Sequence, residues 1–184
     1  MENKMKNQLL RELGLGKIYD EIERALGDGK KKIGVNGLSP TDELFFYLEL
    51  QKKLESPLLI IKEQQEAESL LFGLQQWLGE KVELLPKRNL LPYRTMVRSR
   101  EEKYNRLRIL KNLTQGKLDI LILSEEAFLD RYLPVQVFRD NHLRFHKNQE
   151  WERNNLIASL IEMGYQKEDH LELKGQFTVR GDII

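Results

Sequence analysis

With 184 residues, 40% of them hydrophobic and 32% charged, the chain has the composition of a globular protein large enough for one domain and part of another. It contains no cysteine, which excludes disulfides and thiolate metal sites, and its formal net charge of +1 argues against a surface given over wholly to nucleic acid. No apolar run approaches the roughly 20 residues that cross a bilayer, and the polar N-terminus lacks the apolar stretch of a secretion signal, so a cytoplasmic location is expected.

In chain order, residues 8–26 carry Leu9, Leu10, Leu13, Ile18, Ile22 and Leu26 at helical spacing, interrupted at Gly14 and Gly16, and predict one or two amphipathic helices ending at Gly27-Asp28-Gly29. Lys30 to Lys32 then lead into a short predicted strand, Ile33-Gly34-Val35, and a helix from Pro40 to about Glu55. The apolar run in 57–63 reads as a strand buried on both faces of a parallel sheet. A helix over 64–78, a strand over 81–85, a helix over 99–113, a strand over 118–123 and a short helix over 124–131 follow. Strands alternating with helices make an α/β fold with a parallel sheet.

After about Asp140 the pattern changes. Residues 143–147 read as a strand, and 149–163 as a helix through Trp151, Leu156, Ile157, Leu160 and Ile161 with Gly164 beyond its end. Leu171/Leu173 and Phe177/Val179 alternate about Gly175 as in a β-hairpin. This divides the chain into a helical segment (1–29), an α/β domain (30–140) and a smaller α+β domain (141–184). The last residues, Arg180-Gly181-Asp182-Ile183-Ile184, stop within a strand-like run, so a fragment with an incomplete second domain is expected.

Three stretches are candidates for function. The first keeps the frame of a phosphate-binding loop, G-x-x-x-x-G-K-[ST]: Gly34 and Thr41 take its first and last positions and Gly37 lies within it, but Ser39 replaces the second glycine and Pro40 the lysine. Proline supplies no cation and removes an amide donor, and Asp42 and Glu43 place carboxylates where a phosphate would meet the helix dipole. The same residues make a well-formed helix start, with Ser39 as N-cap, Pro40 at the first helical position and Asp42 closing a capping box. No nucleotide cofactor is therefore expected here. The three histidines, His142, His146 and His170, are too scattered for a metal site.

The second stretch, 87–111, holds nine basic residues, among them Arg94, Arg98, Arg100, Arg106 and Arg108, against Glu101 and Glu102 only. It is either a solvated helix face, with Leu107, Ile109, Leu110 and Leu113 turned inward, or a patch that meets DNA phosphates or an acidic protein surface. The third is the segment 175–184. If Phe177 and Val179 pack inward against the helix bearing Trp151, Arg180 points outward, either as an ordinary surface arginine or as an interface anchor.

The degenerate loop, the Leu91-Pro92-Tyr93 stretch with the helix that follows, the segment 118–134 and above all Gly175-Gln176-Phe177-Thr178-Val179-Arg180-Gly181 with its Asp182-Ile183 continuation resemble, over about residues 25–184, the N-terminal UvrB-homologous region of bacterial transcription-repair coupling factors. The excision nuclease subunit UvrB itself keeps the loop lysine, so Pro40 favours the coupling factors. The resemblance implies a RecA-like subdomain with a degenerate P-loop and an inserted domain that recruits UvrA in nucleotide excision repair, with no catalysis in this segment. It places the UvrA-contacting arginine on Arg180. It implies further that the longer parent carries an ATP- and magnesium-dependent translocase motor, binds RNA polymerase and duplex DNA, and masks the UvrA site against its own C-terminal part. The alternative is a nucleotide-dependent, DNA-binding lobe of a UvrB-like repair protein or helicase.

Overall fold

The computed structural model describes residues 15–88 and 96–184. Leu9, Leu10, Leu13 and Gly14 of the first predicted helix, the Leu91-Pro92-Tyr93 motif and Arg94 lie outside the described residues. The rest is a mixed α/β arrangement around a small parallel sheet. Helix α1 (Leu15–Gly27) and helix α2 (Pro40–Lys53) precede strand β1 (Leu58–Ile61). Helix α3 (Gln64–Leu78) leads to β2 (Val82–Leu85), and the 19-residue α4 (Met96–Thr114) leads to β3 (Ile120–Leu123).

β3 lies between the other two strands, pairing Ile120 with both Leu58 and Val82. The crossovers from β1 to β2 and from β2 to β3 therefore run in opposite directions across the sheet. Right-handed connections then put α3 on one face and α4 on the other. The α3 face is closed by Leu48, Ala67, Leu70 and Leu74 over Ile60, Val82, Ile120 and Ile122. On the α4 face Ile109 packs with Leu85, Leu118, Leu121, Leu123 and Ala127. Being central, β3 is buried along all four residues, which is why its apolar run has no alternation.

The expectation that β1 is buried on both faces is corrected. Ile60 is buried, but Leu59 is 51% and Ile61 41% exposed. Two helices cover the α3 face, whereas on the other face the single long helix α4 reaches only β2 and β3. An open apolar groove of about 870 Å³ remains beside β1, lined by Leu59, Leu110, Leu121, Phe128 and Leu133 among others.

The predicted strand at Ile33-Gly34-Val35 is not formed either. Three residues with an exposed glycine offer few ladder hydrogen bonds. Val35 and Leu38 instead pack with Tyr19, Ile22 and Phe46 in the cleft between α1 and α2. The loop before α2 thus emerges from a helix–helix contact and not from the sheet.

Beyond β3 come two short helices, α5 (Glu125–Leu129), capped by the Ser124 hydroxyl, and α6 (Val135–Asp140), which was not foreseen. Residues 143–147 form no strand. Helix α7 (Arg153–Glu162) begins after Trp151, so that residue lies outside the helix in which it was expected. Its end matches expectation: Gly164 has φ +84° and Tyr165 N–H reaches back to Leu160 O at 3.0 Å. The hairpin about Gly175 is also corrected. Two-residue strands β4 (Gln166–Lys167) and β5 (Gln176–Phe177) pair in parallel, and Leu171 and Leu173 lie in the loop that joins them.

Candidate functional site

At the start of α2 every charge is already engaged. The Ser39 hydroxyl accepts from Asp42 N–H at 3.2 Å, and the Asp42 carboxylate accepts from Ser39 N–H at 3.1 Å and from the Ser39 hydroxyl at 2.7 Å. This is the expected capping box, with Pro40 in the first turn. Lys62, just past β1, is held by Glu43 of the first turn at 2.6 Å and by Glu66 at 3.6 Å. Tyr47 O–H donates to the same Glu43 at 2.7 Å.

Partial burial works to raise the Glu43 carboxyl, but its bonds to Lys62 and Tyr47 outweigh that and hold it below the usual carboxylate range. The same hydrogen bond to Glu43 raises the Lys62 ammonium. An incoming phosphate would have to displace Asp42 from the amide and Glu43 from the lysine, against like charge from both. Gly34, Gly37, Ser39, Pro40 and Thr41 are all exposed. Among the described residues no three His, Asp or Glu side chains gather as metal ligands.

The basic stretch divides in two. Arg98 and Arg100 lie on the N-terminal turns of α4. Arg106, only 9% exposed, donates to Pro86 O and at 2.7 Å to Asp130, with its guanidinium 5.5 Å over the Tyr132 ring. Arg108 grips both carboxylate oxygens of Glu83, and Asn112 reaches the same group at 3.1 Å. Arg88 also reaches Asp130, at 3.4 Å, and Lys87 reaches Glu126, at 3.7 Å. Arg106 is a structural clamp joining the exit of β2, α4 and the segment after α5. Its acid partner lies 24 residues away, so spacing along the sequence could not reveal it. Ile109 is buried as expected of the inward face.

At the other end of the chain Phe177 is buried, Val179 and Thr178 are half-buried, and Arg180 is exposed. Arg180 and Ile183 bond to each other through both N–H groups, at 2.9 and 3.1 Å, closing a tight turn with Gly181 at φ +58°. The Arg180 guanidinium makes one long bond to Asp169 O at 3.3 Å, and Arg153 Nε donates to Gly181 O at 3.1 Å, tying the turn to the start of α7. A rigid backbone thus carries an accessible guanidinium beside Ile183, which is 74% exposed.

Two features here escaped the sequence reading. Phe145 and Trp151 pair with ring centroids 5.3 Å apart. Tyr104 of α4 seats its hydroxyl against Gly175, where a Cβ would overlap it. This second contact fastens the C-terminal segment to the α/β part. Burial and the charges of Lys111 and Arg144 hold the His142 imidazole below its usual range.

Residues 143–184 match the family model described as the UvrB interaction domain. The chain is similar to the transcription-repair-coupling factor of Bacillus subtilis, 26% identical over 168 residues that make up 90% of this chain and 14% of that protein. It is 29% identical over 178 residues to that of Myxococcus xanthus (92% of this chain, 15% of the relative). It is 22% identical over 182 residues to that of Staphylococcus epidermidis (98% and 15%). The chain therefore spans about one seventh of the length of the curated relatives it matches.

Proposed function

We infer, from a chain similar over nine tenths of its length to transcription-repair-coupling factors, that it is a non-catalytic UvrB-like module that recruits UvrA during nucleotide excision repair. The observation that carries this reading is the coincidence of the interaction-domain match at 143–184 with an exposed arginine held on a closed turn at Arg180. Arginine on a rigid support is a favoured interface anchor, because little side-chain freedom is lost per bond made.

In this reading residues 30–140 form a RecA-like lobe whose P-loop has degenerated, and 141–184 belong to the inserted partner-binding domain. The parallel sheet with crossover helices on both faces supports the first assignment, although the loop's own strand is not among the three. The carboxylates at the start of α2 support a lobe without nucleotide. ATP and magnesium chemistry, contacts with RNA polymerase and duplex DNA, and masking of the UvrA site by an intramolecular contact belong to the longer parent, which acts in the cytoplasm.

The test is titration of purified UvrA into the chain by calorimetry. Binding is expected, and Arg180→Ala should weaken it by about 1–2 kcal/mol, or roughly five- to thirtyfold. Wild-type affinity for that variant would remove Arg180 from the site. Millimolar ATP in place of UvrA should give no heat; saturable ATP binding would favour a nucleotide-dependent lobe instead.

A further inference from the structure

We propose that the Phe145–Trp151 ring pair is a second anchor for the same protein partner, continuous with the Arg180 turn; the proposal rests on the UvrA reading above. Its support is local geometry. The backbone reverses between the rings: Gln149 N–H donates to His146 O and His146 N–H to the Gln149 side chain, both at 3.2 Å, and Asn148 takes φ +66°. Asn148 is the only described non-glycine residue with positive φ, a conformation asparagine tolerates better than most. That turn brings two large rings together and leaves Phe145 59% and Trp151 37% exposed. A turn held this way presents the rings to a partner with little left to order on binding, the situation in which aromatic anchors contribute most.

The pair is also linked, through Arg153, to the turn proposed above for partner binding. Two residues after Trp151, the Arg153 side chain bonds Gly181 O beside Arg180, and both rings fall within the matched span 143–184. Arg144, Lys147 and Arg153 are exposed and lie within two residues of a ring in the sequence, while Glu152 commits its carboxylate to capping α7, accepting from Asn154 N–H at 3.1 Å and Asn155 N–H at 2.7 Å. Glu150 remains an exposed acid beside Trp151. The fitting partner surface is an apolar socket bordered by carboxylates. A protein is favoured over single-stranded nucleic acid because the rings tilt at 46° against each other, and so offer no shared flat platform for stacking bases.

The experiment uses the chain labelled with 5-fluorotryptophan, with Trp77→Phe assigning the two resonances. On addition of UvrA the Trp151 signal should shift and the Trp77 signal should not. Phe145→Ala and Trp151→Ala should each weaken UvrA binding at least about tenfold, with unchanged circular dichroism and thermal midpoint showing that the fold survives. If UvrA binds and Arg180→Ala weakens it, but both aromatic variants bind as wild type, the ring pair is excluded and the UvrA reading stands. If the wild-type chain does not bind UvrA, the reading falls and this inference with it. A Trp151 shift with oligothymidylate but not with UvrA overturns the inference in favour of a nucleic-acid contact.

Discussion

The start of α2 and the Arg180 turn are both short, polar and exposed, yet they have been built in opposite ways. At Ser39 the hydroxyl, the amides, the first-turn carboxylates and Lys62 satisfy one another within a few ångströms. At Arg180 the backbone is closed on the exposed Ile183, but the guanidinium keeps one long bond. A site that binds something else must leave part of its bonding capacity facing outward. By that criterion the turn keeps a guanidinium facing outward, whereas the polar groups at the helix start are turned on one another.

Substitutions can test each side of this contrast. The largest stability effect is expected at Gly175, whose φ of +86° disfavours a side chain and where a Cβ would have to displace the Tyr104 hydroxyl. Gly175→Ala should cost about 1–2 kcal/mol from the left-handed conformation alone, measured by urea unfolding. If the C-terminal segment depends on that contact, UvrA binding should fall as well, whereas Tyr104→Phe, which keeps the ring, should be mild. At the helix start Ser39→Ala should cost about 1 kcal/mol by the loss of the cap, with no change in UvrA affinity. A loss of affinity there would erase the distinction between the two regions.

The smallest effect is the pH dependence of the Glu43–Lys62 pair. A carboxyl whose folded pKa lies below its unfolded value, about 4.5, stabilises the fold fully above that value and loses the contribution as pH falls through the folded pKa. Lys62, raised in the fold, stabilises it below its unfolded value, about 10.5, and loses the contribution as pH rises through the folded one. The pair's contribution should therefore be flat across neutral pH and fall on both flanks. Glu43→Gln should shallow both limbs, and thermal melts against pH would show unchanged limbs if the pair contributes nothing.

Where a sequence signal depends on local chemistry, it was readable. The capping box at Ser39 and the glycine beyond α7 are each specified by a few adjacent residues, and the apolar run of the central strand β3 needs no partner to identify it. What depends on neighbours distant in the chain was not readable. Whether Leu59 and Ile61 are covered depends on how many helices share one face of the sheet. Ile33-Gly34-Val35 had the residues of a strand, but the α1–α2 cleft took Val35 instead. The pairing of Gln166–Lys167 with Gln176–Phe177 is too short to leave a periodic trace, and Arg106 looked like part of a basic patch until Asp130 was found beside it. The outward position of Arg180 was expected from strand alternation, and a partner role for it only from motif resemblance; the closed turn that holds it is what the fold adds.

The most direct measurement is amide hydrogen exchange of the chain with and without saturating UvrA. The account predicts slowed exchange over residues 177–184 and the 145–153 loop, with residues 33–46 unchanged by UvrA and by ATP alike. Protection at 33–46 with none around Arg180 would contradict it.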